Sequence, residues 1–181
     1  MENIILLRIA KFFLQHPYRE VYLRELAKAL KLSPFATKRY LDLLLKNNLV
    51  EEERKANLRY FKANSSSLFY KHLKMAMTLK EIEESGLITF LQETIPNTSS
   101  IILFGSTAQG DDTEESDIDL VVIGKKISPP LGRFREVIQR DINLHIFSWP
   151  EWKKKAEEDE PFYNEVILHS IVLYGELPLA K

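Results

Sequence analysis

Two aspartates and a glycine-serine pair are the residues of this sequence whose types and spacing could do chemistry. Gly105-Ser106 follows an apolar run at 101–104, and Asp117 and Asp119 lead into a second apolar run. Successive side chains on a β-strand alternate between its two faces, so both aspartates point the same way while the residue between them points to the core. Two carboxylates one period apart can converge on a single Mg²⁺. A glycine lets a phosphate approach the backbone, where the amides of a helical turn suit an anion. The pattern predicts a nucleotide site.

This pattern also resembles a known family signature. Gly-Ser-Thr-Ala-Gln-Gly at 105–110, followed by Ser-Asp-Ile-Asp-Leu at 116–120, is similar to the minimal prokaryotic nucleotidyltransferase domains of the DNA polymerase beta superfamily. The resemblance implies that Asp117 and Asp119 hold Mg²⁺ or Mn²⁺ and act in catalysis, with an NTP as substrate or ligand. It also implies nucleotide contacts from Gly105, Ser106 and Gln109. Two alternatives stay open: Ser106 and Gln109 could form the capping box of a one-turn helix, and the aspartates could be solvated carboxylates at a strand start.

A third strand is predicted at 141–147, with Asp141, Asn143 and His145 on one face. The family places a third carboxylate on this strand, and alignment of the apolar positions puts Asn143 in that catalytic position. An amide oxygen can coordinate a metal but cannot act as a general base. Asp141, one period away, is the alternative if the register shifts. Gln109 stands where many relatives carry arginine, so a permanent positive charge near the phosphates is lost. We therefore expect slow or absent transfer.

The composition limits the remaining possibilities. The chain has 181 residues, 45% of them hydrophobic and 28% charged, as in ordinary globular proteins. It contains no cysteine, which excludes disulfides, thiolate metal sites and a cysteine nucleophile. Its four histidines lack the spacing of zinc ligands. The apolar runs are too short to cross a bilayer, and the start lacks a signal peptide, so we expect a cytoplasmic protein with no membrane partner.

The first third of the chain has its own pattern and charge. Residues 1–65 contain 13 Lys+Arg and 7 Asp+Glu, a net charge of +6, whereas the rest of the chain has a net charge of −7. Apolar spacing and a Ser33-Pro34 start signal predict helices at 2–15, 24–30 and 34–47, and a hairpin at 50–63.

This order of elements resembles a winged helix-turn-helix, and 32–50 resembles the recognition helix of winged-helix transcription regulators. The resemblance implies binding of double-stranded DNA, with an outward helix face in the major groove and basic hairpin residues at the phosphates. The implied DNA-binding residues are Phe35, Lys38, Arg39, Arg54, Lys55 and Arg59. A solvated helix face, or a protein-interaction or dimer module, is the alternative, because Glu51, Glu52 and Glu53 place negative charge at the root of the hairpin.

The apolar stripe of a helix at 68–83 could pack against both modules or form a homodimer interface. The joint resembles that of prokaryotic proteins in which a winged helix is fused to a nucleotidyltransferase domain. We expect an α+β two-domain protein: a winged helix-turn-helix at 1–65, linker helices at 66–96, and a minimal nucleotidyltransferase domain at 97–181 with a mixed sheet flanked by helices.

The expected function is Mg²⁺-dependent transfer of NMP from an NTP to a protein or nucleic-acid acceptor. The alternative is a DNA-binding transcription regulator whose nucleotidyltransferase domain binds a nucleotide or a partner without turnover. This alternative includes an antitoxin-like role towards a partner toxin.

Overall fold

The computed structural model describes residues 2–180, with side chains described from Ile5 onward. The chain divides into two compact units, with the boundary between Lys74 and Met75. Met1 and Lys181, the outer ends of the predicted domains, lie outside the described residues. The predicted boundaries after residues 65 and 96 stay predictions.

The first unit combines helices with a small antiparallel sheet. Its elements in chain order are α1 (Glu2–Gln15), β1 (Val21–Tyr22), α2 (Leu23–Ala29), α3 (Pro34–Lys46), β2 (Val50–Lys55) and β3 (Leu58–Ala63). The strand order is β1-β3-β2, and the β2–β3 hairpin pairs Lys55 with Leu58 across its turn. The predicted helices and hairpin are therefore confirmed.

Local sequence explains the start of α3. The Ser33 hydroxyl accepts a hydrogen bond from the Ala36 amide at 3.1 Å, and Pro34 occupies the first helical turn, where its missing N–H has no partner to lose. Thr37, Leu41 and Leu44 lie on the buried face of the helix.

One apolar core joins α1, α2, α3 and β3. The side chains that form it are each no more than 1% exposed: Ile9, Phe13, Leu26, Leu41 and Phe61. Burial of each such side chain contributes about 1.5–3 kcal/mol.

The second unit is built on a mixed four-stranded sheet. The helix α4 (Leu68–Ser85) runs into it. The elements that follow are α5 (Leu87–Thr94), β4 (Ser100–Phe104), α6 (Gly105–Gln109), β5 (Ile118–Ile123), α7 (Gly132–Ile138), β6 (Ile142–Phe147), α8 (Trp149–Glu158), α9 (Glu160–Leu168) and β7 (Ile171–Gly175). The strand order is β6-β5-β4-β7, with β5 and β6 parallel and the other pairs antiparallel. The expected mixed sheet flanked by helices is confirmed.

Each face of this sheet buries its own apolar cluster. Ile82, Leu91 and Phe134, from α4, α5 and α7, pack on the face that contains Leu120. Trp152 and Tyr163, from α8 and α9, pack on the opposite face with Val121 and Phe104. Alternation along β5 places Asp119 on the same face as Val121, so the α8–α9 face also carries the candidate chemistry.

The chain turns directly from β4 into α6, because Gly105 adopts a left-handed φ of 73°. The second strand begins at Ile118, so Asp117 lies just before it. The strand predicted at 141–147 begins one residue later, at Ile142. The helix α7 ends at Ile138, because Gln139 adopts a φ of 60°. Within residues 2–180, no helix has both the length and the apolar character needed to cross a bilayer.

Candidate functional site

Three polar side chains meet where β5 and β6 begin. Nδ2 of Asn143 donates hydrogen bonds to Oδ2 of Asp117 at 2.9 Å and to Oδ1 of Asp119 at 3.1 Å. Because one nitrogen atom reaches both carboxylates, the two oxygen atoms converge on a single point. Both aspartates are half-buried and Asn143 is exposed, so solvent and solutes can reach this cluster.

The parallel pairing of β5 and β6 determines which residue faces the aspartates. Asp119 lies opposite Asn143, and Ile118 lies opposite Ile142. Ile118 and Ile142 are both buried in the core, and a one-residue slip of β6 would turn its apolar side chains to solvent. This register places Asn143 beside the two carboxylates.

Asp141, the alternative third residue, has a different role. It stands immediately before β6, where its carbonyl oxygen accepts a hydrogen bond from the Ile118 amide at 2.8 Å. Its side chain is 73% exposed, with Oδ1 3.7 Å from Nε of Arg135. Asp141 therefore supports the entry into β5 through its backbone and pairs with α7 through its carboxylate.

The predicted nucleotide-binding residues lie on α6, directly after β4. Gly105 and Ser106 are half-buried at the first turn, and Gln109 is exposed at the last residue of the helix. Nε2 of Gln109 donates a hydrogen bond to Oε1 of Glu165 on α9 at 3.0 Å. The helix begins at Gly105 with Phe104 at the N-cap position. Ser106 therefore lies inside the helix, and the capping-box alternative for Ser106 and Gln109 does not describe this turn.

An aromatic group continues the same face beyond Asn143. The ring of His145, two residues along β6, lies 5.8 Å from the rings of both Phe104 and Phe162. Those two phenylalanine rings are 5.5 Å apart and nearly perpendicular. These three rings form an aromatic group on the face of the sheet that also carries Asn143.

The comparison with protein families agrees with this geometry. Residues 84–169 match the family described as Nucleotidyltransferase domain, a stretch of just under half of the chain. The second unit contains a nucleotidyltransferase domain. No protein with a curated description matches the chain.

Several solved structures are similar to part of this chain. One is the crystal structure of a toxin–antitoxin with AMP-PNP, with a TM-score of 0.39 and 23% identity over 51% of this chain and 73% of that chain. Another is a mutant of the toxin–antitoxin MntA-HpeT, with a TM-score of 0.37 and 23% identity over 51% and 72% of the two chains. A third is reduced HlyU from Vibrio cholerae, with a TM-score of 0.33 and 20% identity over 42% and 84%.

The donor set of the nucleotidyltransferase domain suits a hard cation. Among the residues that the structure describes, no group of three or more His, Cys, Asp or Glu side chains is placed to hold a metal ion. Two converging carboxylates can still hold one Mg²⁺ or Mn²⁺, which completes its coordination with waters and phosphate oxygens. The amide nitrogen of Asn143 faces the carboxylates, so its oxygen could join the coordination only after the amide turns over.

Sequence reasoning missed a buried group behind the aspartates. Arg140 and Asp112 form an ion pair with side chains only 10% and 4% exposed, and Arg140 also contacts Thr107. In the sequence, Arg140 reads as an ordinary polar residue between α7 and β6, and Asp112 as one of several loop acids. Only the fold brings them together, so neither spacing nor composition could have identified the pair.

In the first unit, the outward face of α3 carries the residues predicted to enter the major groove. Phe35 is 82% exposed, and Lys38 and Arg39 are also exposed. The guanidinium of Arg39 lies 5.8 Å from the ring centre of Tyr40. An exposed aromatic ring beside two cations forms a surface that could contact either nucleic acid or protein.

The basic residues of the hairpin are engaged with carboxylates. Arg59 donates from Nε and Nη2 to the two oxygens of Glu52, each at 2.6 Å, and lies 3.4 Å from Asp42. Lys55 pairs with Glu20 at 2.5 Å, and Arg54 lies 3.7 Å from Glu52. Each basic residue that was predicted to contact phosphates therefore lies beside a carboxylate, with two hydrogen bonds in the case of Arg59.

The ion pair between Arg59 and Glu52 also shifts the pKa of each residue. Hydrogen bonds from Arg59 hold the pKa of Glu52 below its usual range, and the same bonds raise the pKa of Arg59. Glu52 therefore stays ionised and paired well below neutral pH.

Proposed function

We propose that the nucleotidyltransferase domain binds an NTP together with Mg²⁺ or Mn²⁺ and transfers NMP slowly to a hydroxyl of a protein or nucleic-acid acceptor. The observation that carries this proposal is the convergence of Asp117 and Asp119 on the side-chain nitrogen of Asn143. Carboxylates that meet at one point on an accessible surface can replace that nitrogen with a cation. The family match over residues 84–169 supports the same chemistry.

In this reaction the acceptor hydroxyl oxygen forms a bond to the α-phosphorus, the bond from that phosphorus to the bridging oxygen breaks, and pyrophosphate leaves. A bound cation supplies charge stabilisation and alignment. Asp117 and Asp119 would hold it, and the first turn of α6, at Gly105 and Ser106, would contact the phosphates. Because the Asn143 amide cannot accept the proton of the attacking hydroxyl, that proton passes to solvent. Loss of a general base costs about 10²- to 10⁴-fold in rate, which is why we propose slow transfer.

Binding without turnover is the second candidate function. Asn143 already satisfies both carboxylates with its amide, and Gln109 is hydrogen-bonded to Glu165. Neither residue carries a positive charge for the phosphates or a base for the hydroxyl. Such a site could bind a nucleotide as a signal, or serve a partner protein in an antitoxin-like role.

For the first unit we propose a winged helix that binds double-stranded DNA through α3. The order of α1, α2, α3 and the β2–β3 hairpin supports the fold, and the exposed Phe35, Lys38 and Arg39 support the contact surface. Arg54, Lys55 and Arg59 are paired with carboxylates. We therefore propose that α3 makes most of the DNA contacts and that the hairpin makes fewer.

Transfer can be tested with α-phosphate-labelled NTPs and Mg²⁺ in cell lysate. We expect slow labelling of a macromolecule by the wild type and none by Asp117→Asn. Asp141→Asn is the matched control, because it removes an exposed carboxylate that pairs with Arg135 instead of joining the cluster. Equal labelling by the wild type and Asp117→Asn would overturn the proposed site. Nucleotide binding without any labelled product would instead select the second candidate.

A further inference from the structure

We infer that Arg140 is a positioning residue for the metal-binding carboxylates, acting through Thr107 and the backbone on both sides of Asp117. This inference rests on the proposed function and adds a residue that the family signature does not contain. It is carried by four hydrogen bonds of one guanidinium group, which all end within the segment from α6 to Asp117.

The guanidinium forms hydrogen bonds with the peptide groups that flank Asp117. Nε of Arg140 donates to the Ser116 carbonyl at 2.6 Å, and Nη2 donates to the Asp117 carbonyl at 3.2 Å. These carbonyls belong to the peptide units immediately before and after the Asp117 Cα atom. Holding both of them limits rotation about the backbone bonds that aim the Asp117 side chain.

Thr107 connects these hydrogen bonds to α6. Its hydroxyl accepts a hydrogen bond from Nη2 of Arg140 at 2.8 Å and donates one to the Asp117 carbonyl at 3.0 Å. Thr107 is completely buried. The helix that carries the proposed phosphate contacts and the residue that carries a metal ligand therefore share one hydroxyl group.

Asp112 holds the guanidinium in place. Its Oδ2 accepts from Nη1 of Arg140 at 3.0 Å, and the carboxylate is 4% exposed. A planar guanidinium offers donors in a fixed fork, which lysine cannot reproduce. With little solvent between the charges, the pair sets the orientation of the fork more firmly than a surface ion pair could.

The hydrogen bonds of Arg140 affect the orientation of the Asp117 carboxylate relative to that of Asp119. Asp117 precedes β5 and lies outside its ladder of hydrogen bonds, since the strand begins at Ile118. Asp119 is held by the sheet, but Asp117 depends on the Arg140 contacts for its orientation relative to Asp119. Residues that orient metal ligands from behind typically change metal affinity by about 10- to 100-fold when they are mutated.

Two readouts on the folded protein test the inference. The first is the Mn²⁺ affinity, measured by electron paramagnetic resonance of free Mn²⁺. The second is the NMR signal of the Asn143 side-chain amide in metal-free protein, which reports its bonds to Asp117 and Asp119. We expect Arg140→Lys and Thr107→Val to weaken Mn²⁺ binding by about 10- to 100-fold and to move the amide signal towards that of a solvated asparagine.

Matched controls separate positioning from folding. Thr107→Ser keeps the hydroxyl and should retain both readouts, whereas Thr107→Val keeps the shape but loses the hydroxyl. Arg133→Lys changes an exposed arginine whose guanidinium lies 4.4 Å from the ring centre of Phe134, and it should leave both readouts unchanged. If Arg140→Lys does not fold, the two Thr107 variants carry the test.

The inference is overturned if Thr107→Val lowers the melting temperature but leaves the amide signal and the Mn²⁺ affinity of the folded protein unchanged, or if Thr107→Ser loses as much as Thr107→Val. Failure of the proposed function looks different. In that case the wild type binds no Mn²⁺, while the Asn143 amide signal still decides whether Arg140 and Thr107 orient the carboxylates.

Discussion

Gly105 lies against Asp119 so closely that a Cβ atom added to Gly105 would stand 2.8 Å from Oδ2 of that carboxylate. The pairing of β4 with β5 creates this approach, because Phe104 lies opposite Asp119 and the chain turns into α6 at the next residue. Gly105 also has a φ of 73°, which L side chains rarely adopt. The glycine of the signature therefore leaves room for the Asp119 carboxylate, in addition to the phosphate contact proposed for it.

Replacement of Gly105 by alanine should weaken nucleotide binding by more than the loss of folding stability accounts for. The left-handed backbone costs about 1–2 kcal/mol for an alanine, and the new methyl group must displace the Asp119 carboxylate. We expect a lower melting temperature and a loss of Mg²⁺-dependent nucleotide binding, measured by thermal unfolding and calorimetry. Gly86→Ala is the matched control, because Gly86 has a φ of 75° and open space where the Cβ atom would lie. Equal nucleotide affinity in both variants would show that the contact with Asp119 is unimportant.

Asn143→Asp should convert the cluster into a stronger metal site and should lower the stability of the metal-free protein. A third carboxylate removes the two donated hydrogen bonds and adds repulsion between like charges. We expect a lower melting temperature than wild type without Mg²⁺, a larger rise on addition of Mg²⁺, and faster transfer when an acceptor is present. Asn143→Ala removes the same hydrogen bonds without adding charge and should not show the enhanced rise. A variant Asn143→Asp with an unchanged response to Mg²⁺ would argue against this position as a metal ligand.

The sequence was informative about the sheet because period-two alternation and the Gly-Ser and Asp-x-Asp spacing are local features. Every residue from Ile118 to Ile123 except Asp119 is buried, as the apolar run indicates. The partner of Gln109 could not be found in this way, since Glu165 lies 56 positions away on α9. The same holds for the contact of Arg140 with Asp112, 28 positions apart. Side-chain partners that are distant in sequence follow from tertiary packing, which leaves no local pattern to read.

The charged residues of the first unit also have partners that the sequence alone does not reveal. A count of residues gives 1–65 a net charge of +6, and this basic excess motivated the prediction of DNA contact by the hairpin. The count could not reveal that Glu52 binds Arg59 across the hairpin and that Glu20 binds Lys55. Net charge describes the field of a module, whereas the availability of each cation depends on its neighbours.

Salt dependence of DNA binding can distinguish the helix from the hairpin. We expect Lys38→Ala to lower the slope of log affinity against log salt by about one unit and to weaken all duplexes alike, because an exposed phosphate contact is lost. Arg59→Ala should change the slope less, since its charge is already paired with Glu52. Gel-shift titrations at several salt concentrations measure both slopes. No binding of any duplex at low salt would instead support a protein-interaction module.

The Glu52–Arg59 pair should make the stability of the first unit depend on pH in the acid range. Because Arg59 lowers the pKa of Glu52 in the folded state, the pair contributes stability above the ordinary pKa of a glutamate, about 4.3. That contribution is lost as the pH falls through the lower, folded-state pKa. We expect Glu52→Gln to unfold at a lower urea concentration than wild type at neutral pH, with the difference shrinking below about pH 4. The neighbouring Glu53→Gln serves as the exposed control, and a difference for Glu52→Gln that stays constant with pH would contradict the assignment.

Calorimetric titration of the 181-residue chain with ATP, with and without Mg²⁺, tests the central claim most directly. Without a cation, Asp117 and Asp119 repel the triphosphate, so we expect binding only when Mg²⁺ is present. Asp117→Ala should abolish that binding, and Asp141→Ala should leave it intact because its carboxylate pairs with Arg135 away from the cluster. Binding of ATP by Asp117→Ala with wild-type affinity and the same dependence on Mg²⁺ would contradict the assignment of this cluster as the nucleotide site.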